Sequence, residues 1–419
     1  MRPIWTILMA LQLFAVPSLA TGKTVQEVVN RKPQTIEGGR SGTIRERSLK
    51  RLTKAQQLMS TEKYDAALEI LQGLEKSLSG NKFGLAQVYQ TSGYVYAQSD
   101  RFAKASEYFR KTIELNSLPK TPTLNTMYSL AQVLVAEERY IDAVPYIQDY
   151  LFNKEPQRAE AFFFYGQVLA QLKQMRMAAV QVEKALKLTD SPKESWLRLL
   201  VALYFEQKLY SKAAVILEKL VNIKPDKNQY WKQLSSVYIA MNQDSKALAV
   251  LEVAYKNKVL TEEKDLLQLI RLSLFEGVPY KAGVYLQKAL DDGAVAKTSK
   301  HFELLAESWI QAQEVDRALT ALDKAAPLSS DGKLYVRQGQ LYLEKEKWKE
   351  SIAALKKGIE KGGLKKEGLA YVALGIAHYN SGATQSAIES FRKAKAFPKF
   401  KKQAAEWINH VNTEVAITH

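Results

Sequence analysis

From Tyr230 to Asn257 the chain reads YWKQLSSVYIAMNQDSKALAVLEVAYKN. Trp231 and Tyr238 stand seven residues apart, Ala247 follows nine later, and Ala254 comes seven beyond that. At Ala247 a single methyl sits in a helical pattern otherwise rich in leucine. The same frame returns in KYDAALEILQGL, RFAKASEYFRKTI, RYIDAVPYIQDYL, MRMAAVQVEKAL, LYSKAAVILEKL, PYKAGVYLQKAL, VDRALTALDKAA, WKESIAALKKGI and TQSAIESFRKAK. The equivalents of Ala247 are Ala67, Ala105, Ala143, Ala178, Ala213, Ala282, Ala318, Ser351 and Ala387. Successive positions are 38, 38, 35, 35, 34, 35, 36, 33 and 36 residues apart.

A second helical pattern lies upstream of each small residue. Twelve positions before it there is often Gly or Ala, as at Gly93, Ala131, Gly166, Ala306, Gly339 and Gly375. Nine before it stands a large side chain: Tyr96, Leu134, Leu169, Tyr204, Tyr238, Trp309 or Tyr342. Each unit therefore predicts two amphipathic helices of about thirteen residues joined by a short turn. The small residues mark where the two helices cross. A methyl or a hydrogen lets the backbones approach to the close end of the ~8–10 Å interaxial range. The fold class is all-α, with about ten helix pairs.

The chain has 419 residues, 46% of them hydrophobic and 25% charged, which is the balance of a globular protein. Its formal charge is +16, a value that invites a nucleic-acid reading. The first twenty residues, MRPIWTILMALQLFAVPSLA, argue against one. They carry one positive charge at Arg2, an apolar run from Ile4 to Val16, a break at Pro17, and small residues at Ser18 and Ala20. This is the plan of a cleavable secretory signal (1–20), and a buried N-terminal helix is the competing reading. No later run approaches the ~20 apolar residues of a membrane helix, so no transmembrane segment is expected in the mature chain. Cysteine is absent, which removes disulfide and thiolate-metal chemistry and suits an oxidising compartment. A bacterial signal of this kind leads to the periplasm, where the charge must meet protein, membrane-surface or cell-wall partners, with no nucleic acid among them.

Residues 21–47 lack helical periodicity and contain Pro33 and the run EGGRSG at 37–42. They read as a flexible leader. Between Lys23 and Lys54 nine Lys or Arg face three Glu, so part of the excess charge sits here. The repeat array occupies 48–400, and KKQAAEWINHVNTE at 401–414 reads as a final helix covering its apolar end.

The pairs resemble the tetratricopeptide repeat, whose 34-residue helix–turn–helix signature places large, small and aromatic residues in this order. Departures occur at Ser351, at Pro279 and Thr384 in place of the aromatic that opens the second helix, and in the first unit, which lacks the Gly and Tyr. The resemblance implies an α-solenoid wound as a right-handed superhelix, with a concave face lined chiefly by the first helix of each pair. On that register the groove candidates are Tyr94, Tyr128, Gln132, Phe163, Gln167, Arg198, Lys232, Arg271, Arg337 and Gln340. Rings would pack the side chains of an extended peptide and cations would take its carboxylates. The same positions could instead be solvated or serve packing between repeats. On the groove reading, reversing Arg198, Lys232 and Arg271 to Glu weakens partner binding and leaves the thermal melt unchanged.

Catalytic signatures are missing: there is no phosphate-binding glycine loop, nucleophile elbow or HExxH. His301, His378, His410 and His419 are scattered, and His378 takes the large position of the tenth unit, so a packed ring is expected there. The acid pairs Glu137–Glu138, Glu262–Glu263 and Asp291–Asp292 fall at helix ends. Lys345, Lys347, Lys349, Lys356, Lys357, Lys361, Lys365 and Lys366 spread around a surface helix and its turn, a solvated face. No enzyme activity, metal or cofactor is expected.

Longer stretches narrow the resemblance. YWKQLSSVYIAMNQDSKALAVLEVAYKNKVL, GVPYKAGVYLQKALDDG, LLAESWIQAQEVDRALTALDKAAPLSSDGKLY and EKGGLKKEGLAYVALGIAHYNSG resemble the periplasmic tetratricopeptide component of TonB systems in Gram-negative bacteria. That likeness implies an anchor-free periplasmic adaptor working with the TonB–ExbB–ExbD apparatus, which opens outer-membrane receptors for iron chelates. The alternatives are an envelope scaffold for outer-membrane assembly or wall synthesis, or a peptide-binding chaperone.

Overall fold

The computed structural model describes residues 24–418, so the expected signal at 1–20 lies outside them. The chain divides into two compact units, Met1–Ile216 and Leu217–His419. In the first, a short helix α1 (Val25–Val29) precedes the pairs α2 (Glu46–Ser60) with α3 (Tyr64–Ser77) and α4 (Lys82–Gln98) with α5 (Phe102–Glu114). The pairs α6 (Lys120–Ala136) with α7 (Tyr140–Asn153) and α8 (Ala159–Gln171) with α9 (Met175–Lys187) follow, then α10 (Glu194–Glu206). The division falls within α11 (Tyr210–Ile223). The second unit holds α12 (Asn228–Ala240) with α13 (Asp244–Lys256), α14 (Glu263–Phe275) with α15 (Pro279–Asp291), and α16 (Ser299–Gln311) with α17 (Val315–Leu328). It ends with α18 (Lys333–Glu344) and α19 (Trp348–Lys361), α20 (Glu367–Asn380) and α21 (Thr384–Lys395), and α22 (Lys401–Thr418). From α2 to α10 and from α12 to α22, each helix touches chiefly its sequence neighbours, the arrangement of an α-solenoid. Among the described residues no helix is long and apolar enough to cross a membrane.

The crossings account for the small residues. All ten positions, from Ala67 to Ala387 and including Ser351, are 0% exposed. A Cβ added at Gly339 in α18 would stand 2.5 Å from the Leu355 side chain in α19, and one at Gly166 would stand 2.6 Å from Val182. Both distances are shorter than any carbon–carbon contact, so only hydrogen fits. Ser351 is accommodated because its Oγ donates to the Gly339 carbonyl across the same crossing at 2.8 Å. In the sixth pair the bond runs the other way, with Ser235 Oγ donating to the Ala247 carbonyl at 3.2 Å.

The turns are equally regular. Five residues before each small position the backbone enters the left-handed region: Glu62, Asp100, Glu138, Lys173, Lys208, Asn242, Gly277, Gln313, Glu346 and Gly382. The next residue then donates its N–H back to the carbonyl of the large position, as Leu209 does to Tyr204 (2.8 Å) and Gln243 to Tyr238 (2.9 Å). This closure satisfies an orphan carbonyl at the end of every first helix. Pro279 fits because it occupies the first turn of α15, where no N–H is required.

At the C-terminal end α22 lies on the tenth pair. Ala404 and Val411 are buried in one cluster with Val372, Ile388 and Phe391. Trp407 stacks on Phe391 with ring centroids 5.5 Å apart.

The segment 21–47, expected to be a flexible leader, needs correction over its described part. Val28 and Val29 are buried, and α1 sits on α7. The chain then runs without helix as far as Gly39, whose N–H donates to the Leu118 carbonyl at 2.7 Å. Gly38 bridges to Pro119. Further on, the Thr43 carbonyl accepts from Asn81 Nδ2 at 2.8 Å. A Cβ at Gly39 would fall 2.6 Å from the backbone of Asn116 and Ser117, so this glycine is needed for close approach and not for flexibility.

The left-handed turns make a pair of opposite expectations. Gly277→Ala forces a methyl into that region and lowers stability by about 1 kcal/mol, whereas Lys208→Gly relieves the same strain and does not lower it. Urea unfolding midpoints of the two variants check this.

Candidate peptide-binding surface

Apart from Arg337, the groove candidates occupy two register positions on the first helices, four residues apart and therefore on one face. Counted back from the small residue, Tyr128, Phe163, Arg198 and Lys232 stand fifteen before it; Tyr94, Gln132, Gln167, Arg271 and Gln340 stand eleven before it; Arg337 stands fourteen before it.

The structure separates the two positions. The fifteen-before position is largely taken by the first helix of the next pair. Gln90, its occupant in α4, donates to Thr126 Oγ1 of α6 at 2.7 Å. Phe163 is only 8% exposed and stacks on Trp196 of α10 at 4.9 Å. Lys232 forms an ion pair with buried Asp265 of α14 at 2.7 Å, and Asn228 Nδ2 holds the other carboxylate oxygen at 2.6 Å. Phe163 and Lys232 are thus joints between repeats, because adjacent first helices stack within side-chain reach along this face. Tyr128 packs inward as well, stacked on Tyr150 at 4.5 Å.

The eleven-before position is more open. Gln132, Gln167 and Gln340 are half-buried and Arg271 is exposed. Tyr94 is half-buried, its ring edge-on to Phe109 at 5.1 Å. Arg198 and Arg337 are half-buried, and with Arg271 they take no ion-pair partner among the described residues.

Some of the cations serve the packing of the repeat itself. A cation one residue before the small position lies over the aromatic nine before it: Lys212 on Tyr204 (5.4 Å), Lys246 on Tyr238 (5.6 Å) and Arg317 on Trp309 (4.8 Å). A lysine six after the small position faces the aromatic sixteen before it: Lys111 on Tyr89 (5.7 Å), Lys184 on Phe162 (5.7 Å), Lys324 on Phe302 (5.8 Å) and Lys393 on Tyr371 (5.7 Å). Each such contact contributes about 0.5–1 kcal/mol at an exposed site. Nor is the lysine-rich stretch at 345–366 wholly solvated. Lys345 pairs with Asp316 at 2.5 Å, and Lys361 Nζ caps the end of α17 by donating to the carbonyls of Ala326 (2.9 Å) and Pro327 (3.1 Å).

Tyrosines at the large position also latch one pair to the preceding one. Tyr204 donates to Glu183 at 2.5 Å and Tyr238 to Glu218 at 2.5 Å. Glu218 as hydrogen-bond acceptor pushes the Tyr238 hydroxyl up to about 12. His378 is a packed ring, 8% exposed. Burial, then the nearby Lys356 charge, lowers its pKa. The Asp291–Asp292 pair is engaged locally: Gln287 holds Asp291 at 3.0 Å and Lys288 holds Asp292 at 2.7 Å. Among the described residues no three His, Asp or Glu side chains converge as metal ligands.

Tetratricopeptide repeat models match the chain at 86–117, 128–194 and 336–399. Over these stretches the repeat is the tetratricopeptide repeat. No curated protein matches the chain. Similar solved structures include a tetratricopeptide repeat protein from Parabacteroides merdae ATCC 43184 at 13% identity, covering 71% of this chain and 98% of that one, with a TM-score of 0.38. The C-terminal part of a repeat protein from Cytophaga hutchinsonii pairs at 16% identity over 66% and 95%, with a TM-score of 0.40. YrrB, a tetratricopeptide protein with an unusual peptide-binding site, pairs at 17% identity over 46% and 94%, with a TM-score of 0.38.

Two predictions follow from the assignment of side chains to joints or to surface. Lys232→Glu sets a second carboxylate against buried Asp265 and lowers the melting temperature by several degrees, while Arg271→Glu leaves it unchanged; thermal melts of the two variants decide. His378 has a folded-state pKa below its unfolded one, so the unfolded chain binds more protons as pH falls past the ordinary histidine value. Stability of the wild type therefore drops between pH 7 and 5, and His378→Phe makes that drop shallower in urea unfolding.

Proposed function

We propose that the chain is a non-catalytic periplasmic adaptor that grips extended protein segments, working as an accessory component of a TonB–ExbB–ExbD energy-transduction system for outer-membrane nutrient uptake. The observation that carries the gripping role is the open eleven-before register, with half-buried glutamines and an exposed arginine along the first helices. Arg198, Arg271 and Arg337 are uncommitted to internal ion pairs among the described residues and can receive carboxylates of a bound segment. Within each unit the stacked first helices place half-buried or exposed polar groups about one repeat apart, which favours a chain over a small molecule as the ligand. The envelope location rests on the signal-like residues 1–20, and the TonB assignment on the sequence stretches quoted above.

The test uses the intact chain as bait in a crosslinked periplasmic extract, beside the triple variant Arg198→Glu, Arg271→Glu, Arg337→Glu. Capture of TonB or ExbD by the wild type, reduced about tenfold or more in the variant at an unchanged thermal melt, supports the reading. Capture of wall synthases or outer-membrane assembly factors instead contradicts the TonB role. Equal capture by the triple variant contradicts the groove.

A further inference from the structure

Three polar side chains on α7 are buried without an apolar reason. Gln148, Asp149 and Asn153 are 8%, 5% and 8% exposed, and each hydrogen-bonds to the N-terminal segment. Gln148 Nε2 donates to the Val29 carbonyl at 2.7 Å and to the Tyr165 hydroxyl at 2.9 Å. Asp149 Oδ1 accepts from the Arg31 guanidinium at 2.5 Å and from the backbone N–H of Gln34 at 2.7 Å. Arg31 also donates to the Pro145 carbonyl at 2.6 Å. Asn153 grips the main chain from both sides of Thr35: its Nδ2 donates to the Gln34 carbonyl at 2.7 Å, and its Oδ1 accepts from the Ile36 N–H at 2.9 Å.

This is the hydrogen-bonding pattern by which a protein reads a peptide. The amide of Asn153 does what a neighbouring strand would do, taking one acceptor and one donor of extended backbone regardless of side chain. Pro33 keeps the segment extended between the anchor and the clamp. Arg31 supplies selectivity through a charge-assisted contact to a carboxylate sheltered from water. Without the segment, Asp149 would lose both its side-chain partners and Asn153 its two contacts to the segment backbone, leaving water to replace them.

We propose that this side of α7 is a second peptide-binding site, distinct from the first-helix candidates. Its ligand is an extended protein segment carrying an arginine three residues before the first clamped backbone N–H. Residues 29–36 are its built-in occupant, so a partner segment of the same chemistry enters only by displacing them. Covalent attachment gives the resident segment a high effective concentration, which sets the threshold that a competitor must exceed. The inference is independent of the TonB assignment.

The test is a fluorescence-anisotropy titration of a labelled peptide with the sequence of residues 24–43 into the full chain. In the full-length variant Arg31→Glu, which repels Asp149 and releases the resident segment, the peptide binds at one per chain. The wild-type chain binds it about tenfold or more weakly, because its site is filled. Adding Asp149→Asn to the released variant, or replacing the peptide's own arginine by Ala, abolishes binding. Circular dichroism confirms the fold of each variant, and Arg31→Gln takes the place of Arg31→Glu should the latter unfold. Failure of the released chain to bind the peptide, or equal binding by the wild type, overturns the proposal.

Discussion

The close backbone approach at the ten small positions is the constraint on which the rest of this molecule depends. With Ala, Ser or Gly at the crossing, the two helices of a pair come near enough for a serine hydroxyl on one to reach a carbonyl on the other, as Ser235 and Ser351 do. That proximity fixes where the turn must reverse, and hence why one residue, five before each small position, enters the left-handed region whether or not it is glycine. It also sets the height at which the tyrosines at the large position meet glutamates of the preceding pair. Packing in one register thus determines turn chemistry, stacking and the placement of charge.

The fold was legible because it is periodic. Ala247 and its equivalents repeat in a pattern that only a pair of crossing helices explains, and the helix bounds follow from it. The candidate site was legible to a lesser extent. The register correctly placed Tyr94, Gln132, Gln167 and Arg271 on the first helices. It did not separate the surface position from the joint one turn earlier, because that depends on the next repeat and not on the helix itself. Phe163 and Lys232 were misplaced for that reason. Their partners Trp196 and Asp265 lie a full repeat away in sequence.

The N-terminal segment was misread for a different physical reason. Extended chain held by side-chain amides has no hydrophobic period, and Gly38 and Gly39 look the same in sequence whether they permit motion or close contact. A signal was available on the other side of the interface. Gln148, Asp149 and Asn153 bring three polar groups to a helix whose other inward positions are Ala143, Val144, Ile147, Tyr150 and Leu151. The charge excess had a similar resolution. Several lysines lie over rings of their own repeat, so part of the basic composition serves the packing of the pairs while leaving the net charge of +16 in place.

The most direct test of the account is the unfolding free energy of Ala247→Leu, set beside Val253→Leu on the exposed face of the same helix. If methyl groups are required at the crossings, leucine at 247 costs more than about 2 kcal/mol, because the backbones must separate, while the change at 253 stays within about 0.5 kcal/mol. A leucine at 247 tolerated as well as one at 253 would contradict it.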